Sequence, residues 1–97
     1  MQITGRDKLE KFTGEHTDAK SWFDNWIADT KLAEWRTPQD IKNSYASASF
    51  LAGNVVIFNV KGNRYRLEVL VAYKTRTVVV LRISTHAEYS KAKKHKK

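Results

Sequence analysis

Val55-Val56-Ile57-Phe58-Asn59-Val60-Lys61-Gly62-Asn63-Arg64-Tyr65-Arg66-Leu67-Glu68-Val69-Leu70-Val71-Ala72-Tyr73 is the stretch that decides the fold class of this 97-residue chain. Its first six residues are a β-branched run broken only by Phe58 and Asn59, as a buried strand requires. Lys61-Gly62-Asn63 then reads as a turn, with Gly62 supplying the permissive backbone. From Tyr65 the side chains alternate. Tyr65, Leu67, Val69, Val71 and Tyr73 fall on one face, and Arg64, Arg66, Glu68, Leu70 and Ala72 on the other. Lys74-Thr75-Arg76 predicts a second turn, and residues 77–84 a last strand with Val79, Leu81 and Ile83 facing the core. Two successive hairpins make an antiparallel meander.

Upstream the period changes to that of a helix. Thr4 is a candidate cap for a first helix, with Asp7 near its positive end, Leu9 and Phe12 on one face, and Gly14 as its stop. Thr17 or Asp18 would cap a longer helix, in which Ala19, Trp22, Phe23, Trp26, Ile27, Thr30 and Ala33 recur at helical spacing. That stripe could stack nucleobases, but its spacing is that of an amphipathic face buried on a sheet. Thr37-Pro38-Gln39-Asp40 combines a cap, a first-position proline and an acid three residues on, and predicts a short helix ending near Tyr45. The expected fold is therefore α+β, with two N-terminal helices packed on a small antiparallel sheet.

Charge points to the sheet half. Residues 1–40 carry six Lys/Arg against eight Asp/Glu, a net of −2, whereas residues 41–97 carry twelve Lys/Arg against Glu68 and Glu88, a net of +10. Such a field favours polyanions. Arg66 and Arg82 are expected on the face opposite the apolar sets. With the turn near Lys74-Thr75, Arg82 pairs with Glu68, and Arg66 becomes a diagonal neighbour within about 8 Å. Beyond them, His86 and Tyr89 share a face if the segment makes one helical turn. Ser90-Lys91-Ala92-Lys93-Lys94-His95-Lys96-Lys97 is a self-repelling tail, expected to be disordered. The chain divides accordingly into one domain over 1–90 and a tail over 91–97. The absence of cysteine removes disulfides and thiolate metal sites, and no phosphate-binding glycine loop is present. No apolar run approaches a membrane span, and no apolar leader stretch stands at the start, so a cytoplasmic location is expected.

Several segments together resemble the HigB family of type II toxins. They are the run from Val56 to Leu67, which reads VxFNxKGNxYRL, and Thr85-His86-Ala87-Glu88-Tyr89, with the spaced Leu9, Phe12, His16, Asp18, Ala19, Trp26, Trp35 and Pro38 of the helical half. The resemblance implies a RelE-like α+β domain with a short C-terminal helical turn and a basic tail. It implies an endoribonuclease, an mRNA interferase, that cleaves mRNA on the ribosome without a metal ion or cofactor. It also implies a cognate HigA-type helix-turn-helix antitoxin, with operator DNA reached only through the complex. Carried over by position, the catalytic set is Lys61, Arg66, Arg82, His86 and Tyr89, and the RNA-binding set is Asn59, Asn63, Arg64, Lys91, Lys93 and Lys94. Of these, His86 alone has an ordinary pKa near neutrality, about 6.5, which suits a general acid or base. The competing readings are a noncatalytic RNA- or ribosome-binding module and a gyrase-directed toxin of the same superfamily.

Overall fold

The computed structural model describes residues 1–85. In chain order the elements are β1 (Gln2–Thr4), α1 (Arg6–Glu15), a 3₁₀ turn (Thr17–Ala19), α2 (Lys20–Leu32), α3 (Pro38–Ser44), β2 (Ser49–Leu51), β3 (Val55–Val60), β4 (Tyr65–Ala72) and β5 (Thr77–Thr85). The strands form one five-stranded sheet in the order β1-β5-β4-β3-β2, with β1 parallel to β5 and every other neighbour antiparallel. The fold is α+β, with the helices on one sheet face.

β4 organises that arrangement. Tyr65, Leu67, Val69 and Val71 are all buried and alternate with half-buried Arg66, Glu68, Leu70 and Ala72. The buried set joins Val56, Phe58 and Val60 of β3, Leu9 and Phe12 of α1, and Phe23 and Trp26 of α2 in one core. Trp26 meets Phe58 edge-on at 5.7 Å, and Trp35 stacks on Phe58 at 6.4 Å. The tryptophan-rich stripe is thus core. Ala19, Phe23, Trp26 and Thr30 are buried, while Trp22, Ile27 and Ala33 pack partly buried at its margin. Each large side chain so buried stabilises the fold by about 1.5–3 kcal/mol.

The helix ends differ from expectation at three places, each for a tertiary reason. Thr4 does not cap α1; it closes β1 opposite Val79, and Gly5 precedes the helix with φ +90°. A Cβ at Gly5 would lie 3.0 Å from the Val80 carbonyl oxygen, so only glycine lets α1 start this close to β5. Gly14 does not stop α1, which runs on to Glu15 and ends where His16 leaves helical geometry and stacks on Phe12 at 4.3 Å. Neither Thr17 nor Asp18 caps α2, because the 3₁₀ turn feeds it directly and no side-chain cap bond forms. α3 follows its sequence signal. The Thr37 side chain accepts from the Asp40 amide and Asp40 accepts from the Thr37 amide, a complete capping box. At the far end of α2, the Met1 amino group donates to the carbonyls of Thr30, Lys31 and Ala33 at 3.0, 3.1 and 3.0 Å, placing a positive charge at the negative helix end.

The last strand corrects a further expectation. β4 and β5 pair as expected at Glu68–Arg82, but a bulge lies between Glu68 and Val69, and beyond it Val69 pairs with Val80. The extra residue reverses the facing of the strand. Val78 and Val80 are therefore buried, Val79 lies only partly buried opposite Leu70, and Leu81 is 37 % exposed. Ile83, past the bulge, returns to the core margin opposite Leu67, as expected.

Gly5→Ala combines a forbidden backbone with contact against Val80, whereas Gly53→Ala meets the backbone restriction in open space. The left-handed conformation alone costs about 1–2 kcal/mol. Denaturant unfolding should show Gly5→Ala as the more destabilised of the two; equal losses would mean the close approach to β5 is not needed.

Candidate RNA-binding surface

The sheet face that none of the three described helices covers carries Asn59 of β3, Arg66 and Glu68 of β4, and Arg82 and Ser84 of β5. Their placement follows from pairing. Asn59 stands opposite Arg66, Arg66 opposite Ser84, and Glu68 opposite Arg82, which makes the two arginines diagonal neighbours. Such neighbours are typically about 7–8 Å apart, close enough for both side chains to reach one phosphate group. Both cations are oriented by neighbours. Arg82 Nε lies 3.4 Å from Glu68 Oε1, and Arg66 Nη1 donates to Asn59 Oδ1. Asn59 is itself held, since its Nδ2 donates to the Ser47 carbonyl at 3.2 Å. The side-chain amide thus links the loop before β2 to the Arg66 guanidinium. A guanidinium presents five donors in a fixed fork whose geometry matches phosphate oxygens, and a bond to a positioning group sets the direction of that fork.

The β3–β4 turn closes one end of this face. Lys61 and Gly62 both adopt positive φ, and Lys61, Gly62, Asn63 and Arg64 are all exposed. Arg64 is drawn the other way. Its Nη1 lies 3.0 Å from Asp18 Oδ2, and the Tyr65 hydroxyl donates to the same carboxylate at 2.9 and 3.0 Å. The Tyr65 ring packs edge-on against Phe12 and His16. Asp18, which the sequence offered as a helix cap, instead clasps the turn to the helical layer. The Tyr65 hydrogen bond and the Arg64 guanidinium hold the Asp18 carboxyl below its ordinary range. Burial, then the Asp18 carboxylate, push the Tyr65 phenol up. Nothing in the sequence distinguished this role for Asp18, because its partners lie 46 and 47 residues away.

The structure brings together Asn59, Arg66 and Arg82, sets Lys61 and Asn63 on the adjoining turn, and ties Arg64 to Asp18. His86, Tyr89, Lys91, Lys93 and Lys94, with the expected C-terminal helical turn, lie outside the described residues. Among the described residues, no three His, Asp or Glu side chains are grouped as a metal ion would need, and no helix is long and apolar enough to cross a membrane.

A depressed Asp18 pKa means that its contribution to stability is present above the unfolded carboxyl value and is lost as pH falls through the folded one. Asp18→Asn should therefore lower the melting temperature at neutral pH, with the gap to wild type closing on acidification below about pH 4. A gap that stays constant to pH 3 would show that the clasp does not depend on the charge.

A family model for the HigB toxin, described as the RelE-like toxic component of a toxin–antitoxin system, matches residues 19–92. No curated protein matches the chain.

Proposed function

Because this chain belongs to the HigB family of RelE-like toxins, we propose that it is an mRNA interferase, an endoribonuclease that inhibits translation by cutting mRNA on the ribosome. The observation that carries the reading is the diagonal placement of Arg66 and Arg82 on the sheet face that none of the described helices covers, with Asn59 bracing the first and Glu68 the second.

RNA supplies its own nucleophile. The 2′-hydroxyl attacks the adjacent phosphorus and the bond to the 5′ oxygen breaks, leaving a 2′,3′-cyclic phosphate and a 5′-hydroxyl. One proton leaves the 2′ oxygen and one arrives at the 5′ oxygen. Negative charge builds on the nonbridging oxygens between those events. Arg66 and Arg82 hold the scissile phosphate and offset that charge, the kind of electrostatic assistance worth about 10²–10³ in rate per donor. Lys61, exposed on the turn, adds a point charge to the same phosphate or its neighbour, and Asn63 binds a base edge or phosphate. His86 moves a proton as general acid or base, with an expected contribution of about 10²–10⁴. Tyr89 orients the 2′-hydroxyl or stacks on a base. In this scheme no metal ion and no cofactor enters, and Asn59 acts through Arg66 as a positioning residue.

The assignment extends to the cell. Residues 1–90 form the toxin domain, and the lysines of 91–97, Lys91, Lys93 and Lys94 included, supply nonspecific attraction to rRNA and mRNA phosphate. The partner is a HigA-type helix-turn-helix antitoxin, through which alone the toxin reaches operator DNA, and the setting is the cytoplasm. Arg64, neutralised by Asp18, serves RNA less through its charge than by holding the turn.

Expressing the protein and mapping mRNA ends tests this reading. Cyclic-phosphate ends are expected, suppressed by an antitoxin encoded beside it; intact mRNA with arrested translation would mean a noncatalytic binder, and DNA breaks a gyrase-directed toxin. Arg82→Ala breaks only a half-exposed ion pair, so stability should fall by less than about 1 kcal/mol while cleavage falls at least 10²-fold. Full activity in folded Arg66→Ala or Arg82→Ala removes the phosphate clamp. The single-turnover pH–rate profile should change in His86→Gln, with loss of the limb that reports imidazole proton transfer; an unaltered profile assigns the proton transfer elsewhere.

A further inference from the structure

A groove of about 260 Å³ runs between α1 and β5, lined by Lys8, Lys11, Phe12, Leu81, Arg82 and Ile83. It exists because β1 pairs with β5 only over Thr77–Val79, so that among the described residues α1 and not a strand flanks the rest of that edge. The bulge beside Glu68 turns Leu81 outward, leaving it 37 % exposed, while Ile83 sits half-buried beyond it. Phe12 closes the groove from the helix side, and Lys8 and Lys11, both exposed, stand three apart along one face of α1. Glu15 adds the one acidic side chain on the lining. Two lysines and an arginine supply the positive groove that a single strand's backbone follows, and the aliphatic Leu81 and Ile83 stand where such grooves carry aromatic platforms, offering a base an apolar contact surface.

We infer that this groove is a second nucleotide-binding site, in which Lys8 and Lys11 hold the phosphate and Leu81 and Ile83 the base of a residue next to the cleaved one. The inference rests on the mRNA-cleavage reading and extends it, because Arg82 belongs to both surfaces. A strand whose scissile phosphate lies on the outer sheet face continues over the β5 edge into the groove. Charge counted along the sequence hides this, since Lys8 and Lys11 fall in the acidic half of the chain. An acidic peptide would also meet the lysines, but Arg82 makes the groove continuous with the sheet face read as holding the scissile phosphate, which favours RNA.

The test uses the full-length chain, a labelled short single-stranded 2′-O-methyl RNA that cannot be cut, the same strand made abasic, and a glutamate-rich peptide of equal charge. Lys8→Ala with Lys11→Ala, both on an exposed helix face, should reduce the slope of log K against log salt for RNA by about 1.4, at about 0.7 per lost contact. On ribosome-bound mRNA the double variant should raise KM with kcat unchanged. Leu81→Ala should weaken binding of the RNA and leave the abasic strand unaffected. A wild-type salt slope and KM in a double variant of native circular dichroism would overturn the inference while leaving the cleavage reading intact. So would loss of peptide binding with RNA binding preserved, which would make the groove a protein-docking site. A wild-type protein that neither binds nor cuts RNA overturns both readings together.

Discussion

β4 is flanked by a strand on each side and, among the described residues, covered by helices on one face alone. Sliding it by one residue would push Arg66 and Glu68 beneath Trp26 and Phe23 and expose Leu67, Val69 and Val71. Each lost apolar burial would cost about 1.5–3 kcal/mol, and each unpaired buried charge several kcal/mol more. The same alternation that makes a core therefore holds Arg66 on the opposite face. Its pairing partners inherit the constraint, and Asn59, Glu68, Arg82 and Ser84 collect around it. The surface assigned to phosphate binding is in this sense a by-product of where the hydrophobic face must go.

The bulge beside Glu68 refines that outcome. Without it, one register would run the length of β4 and β5, and Val78 and Val80 could not lie under the helices while Arg82 faces away from them. With it, both requirements are met, and Leu81 is left at the edge of the sheet beside α1. A single inserted residue thus connects the core, the arginine pair and the groove at the β5 edge.

Two arginines of one hairpin end up with different partners. Arg66 donates to the Asn59 side-chain oxygen, which orients it, whereas Arg64 meets the Asp18 carboxylate. The amide fixes the direction of the Arg66 side chain, and the ion pair holds the turn in place. Asp18 gains from the exchange as well, since Tyr65 and Arg64 keep its carboxyl ionised. The resulting clasp ties the start of α2 to the turn bearing Lys61 and Asn63.

Residue order by itself determined the α+β class, the helical stripe, the capping box at Thr37, both hairpin turns and the Glu68–Arg82 pairing. Each is written in local periodicity or in turn and cap chemistry acting within a few residues. It also determined that Arg66 opposes the apolar set, because a strand admits only two faces. Tertiary structure alone decided the rest. β1 has three residues and no pattern of its own; it becomes a strand only because the chain returns β5 to its side. Thr4, Thr17 and Asp18 carry the chemistry of caps, but contacts with β5 and with Tyr65 and Arg64 claim Thr4 and Asp18 for other work, and the 3₁₀ turn makes a cap at Thr17 unnecessary. The bulge reverses Val79 and Leu81 through a pairing shift that no local preference announces. Lys8 and Lys11 read as ordinary helix surface until α1 is laid against β5. Periodicity reports which face of an element is apolar, whereas the neighbour that meets that face is settled only when distant segments pack together.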